Sequence, residues 1–151
     1  MSMNTEPRFI KYRLLKAVSC SAVLSRSGTG AALPHEIVSG GAYGALITDA
    51  WVVPLADDEA ANVVRFFVSE DGGLFKFLFE TAIPLSAADS TTAATRTTIT
   101  LPSTMSPDSS SKGLYIPANV TLYAALATAP PTETGSIGQQ VCVMGGYYSG
   151  D

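Results

Sequence analysis

Residues 62–80, NVVRFFVSEDGGLFKFLFE, decide the fold class. Val64, Phe66 and Val68 fall on one side of a period-two alternation, with Arg65 and Ser69 on the other. Phe75, Phe77 and Phe79 repeat the pattern, opposed by Lys76 and Glu80. Between the two runs stands Glu70-Asp71-Gly72-Gly73, where Asp-Gly supplies the positive-φ residues of a tight turn. The stretch therefore predicts a β-hairpin whose aromatic face is turned into a core, each fully buried large apolar side chain contributing about 1.5–3 kcal/mol. Alternating aromatics of this kind build a core before they build a ligand platform.

The same period continues on both sides of the hairpin. Ile10, Tyr12 and Leu14 alternate with Lys11, Arg13 and Leu15. Residues 26–44 read as a loop with one short strand at 36–38, followed by a strand at 46–53 that Pro54 ends because it lacks the N–H for a ladder bond. After the hairpin, residues 86–96 and 103–112 are Ser/Thr-rich connectors around a short strand at 97–101. Strands are expected at 114–116, at 120–127 (Val120, Leu122, Ala124 and Leu126 on one face) and at 137–145. Seven or eight strands and no amphipathic helix longer than two turns predict an all-β chain, a single β-sandwich of jelly-roll-like form. The expected organisation is a basic N-terminal arm or edge strand over 1–16 and the sandwich domain over 17–151.

With 151 residues the chain suits one domain. Only 15% of it is charged, well below the usual quarter, so much of the surface is uncharged and suited to cover by partners. The net charge of -4 hides an asymmetry. Residues 1–16 carry Arg8, Lys11, Arg13 and Lys16 against Glu6 alone, while the remainder holds five basic and twelve acidic residues. A basic arm on an acidic body reaches an acidic partner or a neighbouring subunit; a strand with one solvated edge explains the same charges. Global acidity argues against nucleic acid as the main ligand. Residues 1–20 lack the uninterrupted apolar run of an export signal, since Lys11, Arg13 and Lys16 break it. The uncharged run 113–132 contains Pro117, Pro130 and Pro131 and does not read as a membrane helix.

No constellation for chemistry emerges. His35 is the single histidine and reads as an ordinary loop or surface group. Cys20 and Cys142 sit among small or apolar neighbours and are expected as buried free thiols. Asp57, Asp58 and Glu59 are adjacent, which suits a solvated turn better than a two-carboxylate site across a cleft; a hard cation is the other use of such a cluster. The glycines at 40, 41 and 44 lack the Lys-Ser/Thr ending of a phosphate loop. Gly145 and Gly146 suit a close strand crossing, with Tyr147 and Tyr148 at an interface or stacked on sugar. The expectation is a non-enzymatic protein with no cofactor and no metal.

The order of these segments is familiar. ALITDAWVVPL precedes the hairpin and TAIPLSA; after the Ser/Thr linker come LYIPANVTLYAALATA and, last, GQQVCVMGGYY. This resembles a group of small tailed-bacteriophage virion proteins, in which a late PA-x-x-x-LY-x-x-LGTA-like strand precedes a terminal strand ending in Gly-Gly and an aromatic. The resemblance spans residues 46–148, with Ala127 where a glycine is usual and Tyr147 in place of an acidic residue. It implies a capsid decoration (cement) protein: a jelly-roll module, commonly a homotrimer, made in the host cytoplasm and seated on the capsid surface. Its partner would be the major capsid protein, with no nucleic acid and no membrane involved. On that expectation Arg8, Lys11, Arg13 and Lys16 contact the capsid or an adjacent subunit. The alternatives are a tail, baseplate or fibre β-module and a carbohydrate-binding domain.

Overall fold

The computed structural model describes residues 10–55, 60–86, 88–89, 91–102, 113–130 and 138–149. Among these residues nine strands follow in chain order: β1 (Ile10–Cys20), β2 (His35–Ser39), β3 (Ala45–Pro54), β4 (Asn62–Ser69), β5 (Lys76–Ile83), β6 (Thr97–Thr98), β7 (Leu114–Ile116), β8 (Thr121–Leu126) and β9 (Gln139–Tyr148). No helix occurs among the described residues. The chain is all-β, in two antiparallel sheets. The first runs β1-β9-β3-β6, with β7 also on β3; the second runs β2-β8-β4-β5.

One core cluster draws on both sheets, a sandwich-like arrangement. Leu14 and Cys20 of β1, Ile47 and Val52 of β3 and Val141 and Val143 of β9 meet Ile37, Val64, Phe66, Leu122 and Leu126 from the second sheet. The alternation that sorts these residues is the period of the strand itself, because successive side chains point to opposite faces. On β8 the inward set Leu122, Ala124 and Leu126 is fully buried. β9 lies between β1 and β3 and carries Gly145 where the backbones close in: a Cβ there would run into the carbonyl oxygen of Leu46. A side chain at that position would push β3 and β9 apart.

The hairpin forms, but its aromatic face is split. Phe66 pairs with Phe79 and Phe67 with Phe77, so Leu78 is an extra residue in β5, a β-bulge. On one face Phe66 and Phe79 stack at 4.5 Å between ring centroids; on the other Phe67 meets Phe77 edge-on at 6.1 Å. The expectation that Phe75, Phe77 and Phe79 share one inward face fails at this bulge, which reverses the alternation. Phe79 alone joins the main core, Phe75 packs against Tyr123 in a second cluster, and Phe77 stays partly exposed. The turn is longer than a two-residue one. Asp71 Oδ1 accepts hydrogen bonds from the Gly73 and Leu74 backbone N–H groups and from the Ser69 hydroxyl, and Gly72 takes a φ of 75°. The Leu74 and Gly73 bonds, with the Ser69 hydroxyl, hold the Asp71 carboxyl below the ordinary range.

The second cluster, Ala22, Leu24, Phe67 and Ala125, lies on the opposite face of the second sheet, where the chain between β1 and β2 crosses it. Leu24 N–H donates to the Leu126 carbonyl and Leu126 N–H to that of Ala22. The crossing is pinned further by Arg65, which donates to the Leu24 carbonyl at 2.7 Å. Glu80 accepts from both Arg26 and Arg65.

Candidate interaction surface

β1 is an edge strand: among the described residues it pairs with β9 alone. Residues 10–16, expected as an arm or edge strand, are the first part of this ladder, while Arg8 lies outside the described residues. A register shift separates the pairs Ile10–Tyr148 and Tyr12–Tyr147, and from Tyr12 to Cys20 the pairing is regular. Leu14 and Cys20 point into the core, with half-buried Lys16 and Val18 at the same parity. Arg13, Leu15, Ala17 and Ser19 face outward and are exposed. Removing residues 1–16 would therefore strip Leu14 from the core and uncover part of β9.

The outer face of the first sheet is sparsely charged. Leu15 stands 69% exposed directly opposite Met144 of β9, itself 43% exposed, and Met144 is in turn opposite Asp49. The next row is Ala17, Cys142 and Trp51. The Arg96 guanidinium sits 4.3 Å from the Trp51 ring centroid, a cation–π contact that occupies one face of the indole. Lys11 and Arg13 bring positive charge to the β1 edge of this face, and Lys16 adds to the same strand from the inward parity.

The two tyrosines behave differently from one another. Tyr148 is 3% exposed, its ring edge-on to Tyr115 at 5.9 Å, so it is not on offer to a sugar or a partner in this fold. Tyr147 is half-buried and packs against the main core. Asp57, Asp58 and Glu59 lie outside the described residues.

Two further features carried little sequence signal. An apolar cleft of about 340 Å³ opens between β5 and β7, lined by Val68, Leu78, Leu114, Ile116 and Val120, with Lys76 at its edge. His35 Nε2 accepts hydrogen bonds from the Ser21 and Ala22 backbone N–H groups at 3.3 and 3.2 Å, which requires that nitrogen to be unprotonated. It clips the corner where the chain leaves β1, a role hidden in the sequence because its partners are main-chain atoms thirteen and fourteen residues away. Cys20 and Cys142 are buried free thiols, as expected. Burial pushes the Cys20 thiol up to about 12 and that of Cys142 in the same direction, away from the thiolate that redox or nucleophilic chemistry needs.

Among the described residues no group of three or more His, Cys, Asp or Glu side chains is placed to hold a metal ion. No helix among them is long and apolar enough to cross a membrane. Comparison of the chain with known protein families, curated proteins and solved structures finds no match to any of them.

Proposed function

We propose that this chain is a non-enzymatic virion structural protein, a decoration or cement protein that binds the outer surface of a phage capsid through its first sheet. The observation that carries the reading is the basic β1 edge beside a sheet face on which Leu15 and Met144 stand exposed next to one another. Apolar side chains exposed together on a flat face favour protein contact.

Under the same proposal the two sheets form a jelly roll. Its support is the nesting of the pairs: β1 with β9, β2 with β8, β3 with β7 and β6, β4 with β5. A long hairpin rolled into two sheets pairs its strands from the outside in, and jelly rolls recur in viral capsid proteins. A sugar-binding reading draws less support, since Tyr148 is buried and Arg96 occupies a face of Trp51.

Copy number in purified particles tests the proposal. A ratio to the major capsid protein near one supports decoration of the capsid surface, and the homotrimer that the resemblance implies would then be looked for in the same particles. A handful of copies per particle favours a tail, baseplate or fibre module, and absence from particles removes the virion reading altogether.

A further inference from the structure

We infer that β1 is a receiving edge for an acidic, extended segment of a partner protein, which joins the first sheet as a new outermost strand. The strand has what such an addition requires. It is eleven residues long, contains no proline, and from Tyr12 to Cys20 runs without a bulge, with one side of its backbone unpaired among the described residues. Main-chain hydrogen bonds along an open edge supply affinity in strand addition, and side chains at alternate positions supply specificity.

The side chains select the occupant. A strand laid against β1 meets Arg13 and Leu15 along the edge and Lys16 from the inner parity. Cross-strand neighbours sit about 4.5–5.5 Å apart, so carboxylates opposite Arg13 and Lys16 gain and basic residues there lose. Opposite Leu15 an apolar side chain would extend the row that Met144 begins. A second copy of β1 fits poorly, because its own Arg13 and Lys16 would crowd the same edge with like charge. Lysine and arginine on an edge thus keep identical chains apart while leaving the edge open to an acidic one.

The inference rests on the decoration reading only for which protein carries the segment, and its test needs no capsid. The probe is a synthetic peptide, acetyl-Val-Thr-Glu-Leu-Val-Glu-Thr-amide, written to run antiparallel to β1 with glutamates opposite Lys16 and Arg13 and leucine opposite Leu15. A control peptide carries lysine in place of each glutamate. Binding is followed by fluorescence anisotropy and by amide hydrogen exchange resolved along the chain.

The expected result is binding of the acidic peptide alone, protection confined to β1, and weakening as salt is raised. The double variant Arg13→Glu/Lys16→Glu should bind the acidic peptide at least tenfold more weakly and gain affinity for the lysine peptide, a gain that an unfolded variant would not show. Equal binding of both peptides, no binding, or protection elsewhere would overturn the inference. So would protection of β1 that grows with protein concentration in the absence of peptide, which would assign the edge to a second copy. Peptide binding by a protein absent from capsids leaves strand addition standing and removes decoration; capsid binding that survives the double variant does the reverse.

Discussion

β1 and β5 are both edge strands, one on each sheet, and they are protected in opposite ways. β5 carries its protection in the backbone: Leu78 is an extra residue against β4, so its alternation breaks midway. An added strand cannot follow such an edge in register, whatever its charge. β1 is regular from Tyr12 onward and carries its protection in side chains, Lys11, Arg13 and Lys16. The lesson is one of selectivity. A bulge refuses every strand, whereas charge refuses some strands and invites others, so an edge meant to be used is better guarded by charge.

The strands also differ in how they are anchored, and the largest expected effects break those anchors. Phe66 is 1% exposed and stacks on Phe79, which ties β5 to the core side of the second sheet. Phe66→Ala removes the stack and opens a cavity, so urea denaturation should show a loss of about 3–5 kcal/mol. Leu14 is the equivalent anchor of β1, at 3% exposure, but it lies in an edge strand beside half-buried Lys16, where neighbours can close in. Leu14→Ala is expected to cost about 2–3 kcal/mol, toward the low end for a buried leucine. A loss at Leu14 larger than that at Phe66 would make β1 the better-anchored edge and reverse the comparison.

The difference between the edges was only half visible in the sequence. The charges of β1 and its alternation over residues 10–15 were legible, because period two and residue type are local properties. The arms of the hairpin were legible for the same reason, and residues 114–116 form β7 as expected. The bulge was not. Phe75, Lys76, Phe77, Leu78 and Phe79 satisfy a perfect alternation on paper, and only pairing with Phe66 and Phe67 reveals the extra residue. The continuation of β1 through Ala17–Cys20 is also hard to read, because Ala17, Ser19 and Cys20 carry little strand signal and Val18 alone does not define an alternation. Its partner, β9, lies more than a hundred residues away, and no local pattern specifies a pairing of that separation. The exposed row on the outer face was similarly hidden: Leu15 and Met144 become neighbours only once β1 and β9 are paired.

Acid sharpens the comparison, with a smaller effect. Glu80 on β5 is held below the ordinary glutamate range chiefly by its hydrogen bond from Arg26, helped by Arg65. A lowered folded-state value means that its contribution is complete above the unfolded glutamate range and is lost as pH falls through the lowered value. The pair is largely solvent-accessible on the Arg26 side, 63% exposed, so Glu80→Gln should cost about 1 kcal/mol or less at neutral pH. Thermal unfolding from pH 7 down to pH 2 should show the gap between variant and parent closing in acid. Asp71 and Asp89, also held low by backbone hydrogen bonds, would make both proteins less stable there. A gap that persists at pH 2 would mean that Glu80 acts through packing rather than charge.

The smallest expected effect falls on the exposed face of β1. Leu15 is the most exposed large apolar side chain on β1, and its nearest cross-strand contact is the exposed Met144. Little apolar area leaves water there on folding, so Leu15→Lys should change the unfolding free energy by no more than about 0.5 kcal/mol. Leu14→Ala, one residue away, should cost several times more, because adjacent residues on a strand face opposite sides of the sheet. The two measurements together separate the face that holds β1 in place from the face it presents. A Leu15→Lys variant as unstable as Leu14→Ala would mean that something covers Leu15 in the folded chain, and the outer face of β1 would no longer be free to receive a partner.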